Sequence, residues 1–334
     1  MSVEAWKGTY QGEQAVWLKA GAYEAAVLPG VGANLIALRD VERGYALLRE
    51  PQPEEMAGFK ASPMVHGIPV LFPPNRYDGG RFEVQGTEYA FPVNEPATGN
   101  HLHGLCYDQP WETVDIGSNG QESYAQFEFK RGEGDESYTW FPHPFRLTLR
   151  YSLTAAGLVQ QIGVYNDSDK PMPCMLGFHT AVNAPFAPGS TTSDCSFTMS
   201  IGERWELDGR MLPTERTQPL SAFEQAFGSE GAGASPFTEA MDNHYSAKPG
   251  PSGNRMVLTD SRARARLVYD AGMAYKQWMI WNDGARGGFF CPEPQINMVN
   301  APNLSLPAEQ TGLVLLEPGC SWSGSSRLYV ESID

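Results

Sequence analysis

The feature that most constrains this chain is the alternation of apolar and polar residues in one segment near its middle. From residue 145 to residue 153 every second side chain is large and apolar, whereas arginine, threonine and serine occupy the positions between them. Successive side chains of a β-strand point to opposite faces, so this pattern predicts a strand with one buried face and one face in water. The alternating apolar residues are Phe145, Leu147, Leu149, Tyr151 and Leu153.

Shorter patterns predict further strands and the turns between them. Alternation around Phe127–Phe129 and over Ala263–Leu267 predicts two more strands. The tripeptide Asn282-Asp283-Gly284 follows an aromatic run and is typical of a tight hairpin turn, because Asp-Gly tolerates positive φ angles. Short helical turns are predicted at Pro53 to Phe59 and at Ser221 to Phe227.

Turn-forming residues are spread along the whole chain. Its 334 residues include 35 glycines and 26 prolines, and one loop-rich region runs roughly from Gly228 to Asn254. This distribution is typical of many short strands. We therefore expect an all-β fold in one domain over residues 1–334, a large antiparallel β-sandwich with few short helices, whose two sheets bury their inner faces against each other.

Charge and cysteine content restrict the partners. The chain carries 24 basic and 39 acidic residues, a formal charge of −15, which argues against nucleic acid and anionic membranes because both need a positive protein surface. No apolar run approaches the roughly eighteen residues of a membrane span. The five cysteines are odd in number and form no Cys-x-x-Cys pair, which favours reduced thiols, and the first residues show no secretory signal. We expect a cytoplasmic protein that binds a small neutral molecule.

Four polar segments, far apart in the sequence, carry the candidate chemistry. In chain order they contain Asn75-Arg76, Asn100-His101-Leu102-His103-Gly104, Gly177-Phe178-His179 and Pro292-Glu293-Pro294. Distant segments of a β-sandwich can converge on one concave face. These segments therefore predict a single site built from several strands.

Taken in order, these segments resemble the aldose 1-epimerase (galactose mutarotase) family. Asn75-Arg76 resembles the family's Asn-Arg segment, and Asn100 to Gly104 resembles its Asn-x-Leu-His-Gly. Gly177-Phe178-His179 resembles the strand with the second histidine, and Pro292-Glu293-Pro294 resembles the segment with the catalytic glutamate. The resemblance implies the mutarotase-like form of the β-sandwich.

The resemblance also implies an activity, an aldose 1-epimerase that interconverts the α and β anomers of a sugar. Opening a pyranose ring requires one group to take the anomeric hydroxyl proton while another protonates the ring oxygen. The family match implies Glu293 as the base and His179 as the acid, present as a Glu⁻/His⁺ pair, with His103 as electrostatic support. No cofactor or metal is implied, and we expect a monomer or homodimer.

The sugar-binding residues are implied by the same resemblance. They are Asn75, Arg76, Asp242, Gln277 and Trp278, of which the arginine and asparagine supply hydrogen-bond donors and the indole a flat apolar face.

Three alternatives remain open from the residues themselves. Arg262, Arg264 and Arg266 form a stripe that suits a phosphorylated sugar, which would make the protein a hexose-phosphate epimerase. A second alternative is a non-catalytic carbohydrate-binding protein of the same fold. The third is a metal site at His101-x-His103, because residues two apart on a strand point to the same face.

Overall fold

The computed structural model describes residues 2–333, of which strands account for 49% and helices for 11%. The strands pair antiparallel throughout the two largest sheets. The predicted all-β class with few short helices is therefore confirmed.

Residues 3–154 form thirteen strands, most of them short. They are β1 (Val3–Tyr10), β2 (Glu13–Ala20), β3 (Tyr23–Leu28), β4 (Asn34–Asp40), β5 (Tyr45–Ala46), β6 (Val70–Leu71), β7 (Arg76–Asp78), β8 (Arg81–Val84), β9 (Thr87–Ala90), β10 (Asn100–Leu102), β11 (Glu112–Ser118), β12 (Glu122–Arg131) and β13 (Phe145–Thr154).

Residues 157–332 form the remaining fourteen strands. They are β14 (Gly157–Asn166), β15 (Met172–Cys174), β16 (Gly177–Phe178), β17 (Val182–Ala184), β18 (Cys195–Met199), β19 (Ile201–Leu207), β20 (Pro213–Gln218), β21 (Asp242–Ala247), β22 (Arg255–Asp260), β23 (Ala265–Asp270), β24 (Gln277–Trp281), β25 (Gly288–Gln295), β26 (Val314–Leu316) and β27 (Ser321–Ser332).

The helices are single turns between strands. The α-helices are α1 (Met56–Ala61), α2 (Ala222–Phe227) and α3 (Ala308–Thr311). The 3₁₀ turns are Pro53–Glu55, Pro63–Val65, Glu136–Thr139, Thr192–Asp194, Asp283–Ala285 and Ala301–Asn303. Both predicted helical turns are confirmed, and Ser221 caps the second by accepting a hydrogen bond from the Glu224 N–H.

Two eight-stranded sheets and a five-stranded sheet form the body of the protein. One large sheet has the order β11-β12-β13-β14-β27-β23-β22-β18, and the other runs β20-β19-β21-β24-β25-β16-β6 with β17 also paired to β25. Strands β1 to β5 form the third sheet in sequence order. We call the sheet that contains β24 and β25 the site sheet.

The two large sheets bury their inner faces against each other. Trp278 of the site sheet meets Tyr269 of the opposite sheet edge to face at 6.0 Å, and Phe290 meets Phe197 at 5.2 Å. The predicted strand at 145–153 is β13, which lies inside the first large sheet and buries its alternate residues as expected. Aromatic contacts of this kind add to the area buried and hold the two faces in register.

Two parts of the secondary structure differ from the prediction. The alternation at 263–267 is a strand only from Ala265 onward, because Arg262 and Arg264 lie in the preceding turn and the backbone of Arg264 has φ +51°. The region predicted to be loop-rich contains β21, which lies between β19 and β24 in the site sheet. The polar residues of β21 concealed this strand in the sequence pattern, because one face of β21 lies at the site rather than in the core.

The five cysteines are free thiols, and all except Cys320 are buried.

Within residues 2–333 we find no helix with the length and apolar character needed to cross a membrane. Asn282-Asp283-Gly284 lies in the connection between β24 and β25 as predicted, but the connection is not a tight turn, because the last cross-strand pair before it is Trp281–Cys291.

All six histidines are buried, and burial lowers the pKa of each below its ordinary value of 6.5. For His143 the pKa falls to about 4 because its ring is removed from water and Lys170 lies nearby. Its ring nitrogens contact the Tyr89 hydroxyl at 2.7 Å and the Ser168 hydroxyl at 3.0 Å. The fold therefore holds these imidazoles neutral.

This burial predicts acid lability. Between about pH 6.5 and pH 4 the unfolded chain takes up protons on its histidines that the folded chain does not, so the free energy of unfolding falls as the pH falls. We expect His143→Gln to reduce this dependence by up to one proton, measured by urea denaturation at several pH values. Ser168→Ala disturbs the same hydrogen bond but removes no titrating group, so its pH dependence should match wild type. An unchanged slope in His143→Gln would contradict the argument.

Candidate active site

One row of side chains across the site sheet contains the two central groups. Strand β25 pairs with β16 through Gln295 and Gly177, and with β17 through Phe289 and Asn183, in the same register. This register places Glu293 opposite the residue that follows β16, which is His179. The two side chains are in contact, with Nε2 of His179 3.2 Å from Oε1 of Glu293.

The position of His179 depends on close packing of the short strand before it. Its backbone N–H donates to the Pro69 carbonyl at 3.0 Å, which ties the histidine to the segment before β6. A Cβ atom at Gly177 would lie 2.8 Å from the Gln295 side chain and 3.0 Å from Pro74. Only glycine lets β16 approach β25 closely enough to bring the histidine to the glutamate.

His103 enters the site from a turn with an unusual backbone. Its φ of +70° is in the left-handed region, and its N–H donates to the Asn75 carbonyl at 3.0 Å. His101 stabilises this turn, because its Nε2 accepts a hydrogen bond from the Gly104 N–H at 3.1 Å. The proton of the neutral ring is therefore on Nδ1, which donates to the Pro92 carbonyl at 2.8 Å. The ring of His103 then lies 5.4 Å from that of His179, at 85° to it.

This turn also bears on the alternative of a metal site. His103 lies beyond the end of β10, so its side chain does not share a strand face with His101, and both ring nitrogens of His101 are committed to backbone groups. Within the part of the chain that the structure describes, no group of three or more histidine, cysteine or acidic residues is placed to hold a metal ion.

Burial sets the electrostatics of the Glu293–His179 pair. Removal from water raises the pKa of Glu293 well above its usual value, and the nearby Asp242 carboxylate raises it further. Burial lowers the pKa of His179 to about 4. Both shifts oppose the expected Glu⁻/His⁺ form in the unliganded site and favour a protonated glutamic acid beside a neutral imidazole, which holds the same number of protons.

Three buried polar atoms of the site have no hydrogen-bond partner among residues 2–333. They are Oε2 of Glu293, Nδ1 of His179 and Nδ1 of His103. Such atoms are costly to bury alone. Their convergence at one place leaves the site with hydrogen-bonding groups available to a polar ligand.

Arg76 lies beside this group between two carboxylates. Its Nε donates to Glu95 at 2.9 Å and its Nη2 donates to the same carboxylate at 3.0 Å. The Nη2 atom also lies 3.5 Å from Oδ2 of Asp242. The pKa of Asp242 is raised overall, because burial raises it more than the Arg76 guanidinium lowers it. Asn75 is adjacent and largely buried, and its side-chain oxygen accepts from the Arg76 N–H.

Gln277 and Trp278 fall on opposite faces of the site sheet. Gln277 shares the face of Glu293, and its side-chain oxygen accepts from the Trp205 indole N–H at 3.1 Å. Trp278 points into the core, and its indole N–H donates to the Asn254 side chain at 2.8 Å. The expectation that Trp278 lines the site is therefore wrong. Neighbouring residues of a strand point to opposite faces. The sequence alone therefore indicates that Gln277 and Trp278 cannot both contact one ligand.

Two residues of the site were missed by the sequence analysis. Trp281 is the cross-strand partner of Asp242 and lies 6.1 Å from the His179 ring, where it offers the indole that was expected from Trp278. Its position follows from strand parity, since residues 277, 279 and 281 share a face. Glu95 lies in a loop with no recognisable motif, so only the folded structure reveals its contact with Arg76.

Residues 14–329 match the family model described as aldose 1-epimerase. A galactose mutarotase-like protein from Clostridium acetobutylicum has the same fold with a TM-score of 0.95 and 31% identity, over 99% of both chains.

Two curated relatives match part of the chain. The uncharacterized protein YihR of Escherichia coli is 30% identical over 60% of this chain and 59% of its own length. The galactose mutarotase of Rattus norvegicus is 27% identical over 54% of this chain and 48% of its own length. The matched segment thus spans about half to three fifths of these relatives.

The contact between Glu95 and Arg76 should contribute measurably to stability. In Glu95→Gln the guanidinium loses its charged partner in a largely buried position, so we expect the free energy of unfolding to fall by about 1–3 kcal/mol in urea denaturation. Glu133 is exposed and makes no ion pair with another residue in the range 2–333, and Glu133→Gln should stay within about 0.5 kcal/mol of wild type. Equal effects of the two substitutions would contradict this assignment.

Proposed function

Because the chain belongs to the aldose 1-epimerase family, we propose that it interconverts the α and β anomers of a neutral aldose. The observation that carries the proposal is the contact of 3.2 Å between Glu293 and His179, with one free polar atom on each side chain. The two groups lie in one row of the site sheet, where both can reach the same sugar ring.

The reaction requires two proton transfers that occur together. In the proposal Glu293 takes the proton from the anomeric hydroxyl while His179 gives a proton to the ring oxygen, and the bond between the anomeric carbon and the ring oxygen breaks. Rotation of the resulting aldehyde exposes its other face. Ring closure then reverses both transfers and yields the opposite anomer.

A single proton on the pair is sufficient for this cycle. Burial favours the neutral distribution in the unliganded site, and the direct contact lets the proton pass from Glu293 to His179. Sugar hydroxyls would then supply hydrogen bonds to the carboxylate, which favour its ionised form. The enzyme regains its starting protonation state after each turnover because ring closure returns the proton.

His103 and the polar groups around the pair would bind and orient the sugar. His103 is neutral at ordinary pH, since burial and the neighbouring His179 lower its pKa. Its free Nδ1 can therefore hydrogen-bond near the ring oxygen without adding a charge. Arg76 and Asp242 offer a donor and an acceptor to hydroxyl groups, and Trp281 offers a flat apolar face.

The charges near the pair favour an unphosphorylated substrate. Arg76 is already matched by Glu95 and Asp242, so within residues 2–333 this arginine is not left as a free cation for a phosphate. The three arginines that suggested a phosphorylated sugar lie at Arg262, Arg264 and Arg266, in a turn and on a strand of the other large sheet. Anomeric exchange on glucose should therefore be accelerated more than on glucose 6-phosphate.

Substitution of the glutamate tests the proposal directly. Glu293→Gln keeps the size of the side chain but cannot take a proton, so the acceleration of α/β exchange should fall by about 10²- to 10⁴-fold in two-dimensional exchange NMR. Glu133→Gln, on the exposed surface, should retain the wild-type rate. If Glu293→Gln matches wild type, the assignment of the base is wrong. If wild type binds sugar saturably without accelerating exchange, the protein is a carbohydrate-binding protein of the same fold.

A further inference from the structure

A second polar cavity opens on the same face of the site sheet as Glu293. The cavity has a volume of about 560 Å³, and Asn183 contributes to its wall. Asn183 is the cross-strand partner of Phe289, which precedes Glu293 by four residues on β25. Four residues of a strand span about 13 Å, so the cavity lies two rows of side chains from the Glu293–His179 pair.

A series of side-chain contacts joins the cavity to the pair. The guanidinium of Arg49, a residue of the cavity wall, lies 4.0 Å from the centre of the Phe289 ring. Phe289 contacts Trp281 at 5.9 Å between ring centres, and Trp281 contacts His179 at 6.1 Å. Phe289 is buried, so the partly exposed Trp281 presents the apolar surface between the cavity and the Glu293–His179 pair.

The charged groups of the cavity compensate one another. Arg39 donates to Glu50 at 2.7 Å, and Arg49 lies 3.9 Å from the carboxylate of Glu55. Two cations and two anions therefore face each other, and neither an acidic nor a basic ligand finds an unmatched charge of opposite sign. A neutral ligand with many hydroxyl groups suits such a wall.

Several polar groups at the cavity remain available for a ligand. Asn183 donates both amide hydrogens to the carbonyl groups of Ala46 and Leu48, which leaves its side-chain oxygen as an acceptor. Arg49 and Gln52 also line the cavity and add side-chain N–H donors. These groups offer both donors and acceptors.

On its other side the cavity continues into an aromatic surface. Tyr10 of the cavity wall contacts Trp17 at 6.2 Å, and Trp17 lies 6.1 Å from Trp6 with the two rings within 10° of parallel. Trp6 is 38% exposed. Trp17 is partly buried, so the exposed indole of Trp6 provides the flat apolar area beside the cavity on which a pyranose ring can pack.

We propose that this cavity is a saccharide subsite, so that the substrate class is a neutral reducing oligosaccharide whose reducing end lies at Glu293 and His179. This inference rests on the function proposed above. The distance between the two places exceeds the length of one pyranose ring and suits a short chain. The apolar faces of the intermediate rings pack on Trp281, and the next hydroxyl groups reach Arg49 and Asn183.

Binding and exchange measurements on two kinds of sugar test the subsite. We expect wild type to bind maltotriose or cellotriose about tenfold more tightly than glucose in calorimetry, since the cavity adds hydrogen bonds, some of them to a charged group. Arg49→Ala and Gln52→Ala should each lower trisaccharide affinity toward that of glucose. Gln52 is exposed on the cavity wall, so its loss leaves the fold intact. The matched control is Gln161→Ala, on the exposed face of the other large sheet.

The outcomes separate the subsite from the proposed reaction. Acceleration of glucose exchange with equal affinity for glucose and both trisaccharides would overturn the subsite and leave the epimerase proposal standing. Tighter trisaccharide binding that is lost in both cavity variants supports the subsite even if glucose exchange is not accelerated. Equal loss of trisaccharide affinity in Gln161→Ala and in the cavity variants would also overturn it, as would unchanged affinity in Gln52→Ala and Arg49→Ala.

Discussion

The register between β25 and the paired segments β16 and β17 is the constraint on which the site depends. This register places His179 beside Glu293, and the same alternation places Phe289 beside Asn183 at the second cavity. A slip of one residue would turn Glu293 toward the aromatic core and a core residue toward the ligand. The glycine at position 177 protects the register, because any larger side chain would push the two strands apart.

Burial determines which protonation states are favoured in the site, and it also imposes a desolvation cost. The imidazoles and the central carboxyl group are held away from water, so their neutral forms are favoured. Arg76 keeps its charge because Glu95 binds it on one side and Asp242 lies on the other. Three of the buried atoms left without partners lie where a sugar would supply hydroxyl groups, which is where their desolvation cost can be recovered on binding.

The same face of the site sheet carries the Glu293–His179 pair, the cavity at Asn183 and the aromatic residues between them. Charges at each place are matched locally, by Glu95 and Asp242 around Arg76 and by Glu50 and Glu55 around the two arginines of the cavity. A face of this kind discriminates by the placement of hydrogen bonds rather than by net charge. The formal charge of −15 is therefore compatible with a neutral ligand.

Much of the fold was determined by local patterns in the sequence. Alternation from Phe145 to Leu153 identified β13, and Asn282-Asp283-Gly284 identified the connection before β25, because side-chain parity and turn geometry depend on neighbouring residues alone. The motifs around Arg76, His103, His179 and Glu293 named the residues that the structure brings together. Strand parity separates Trp281 from Trp278, but only the tertiary structure decided which face of β24 lies at the site, that Glu95 binds Arg76, and that burial favours the neutral form of the Glu293–His179 pair. Those facts arise from strand register, a loop contact between distant positions and burial, and each depends on where the rest of the chain lies.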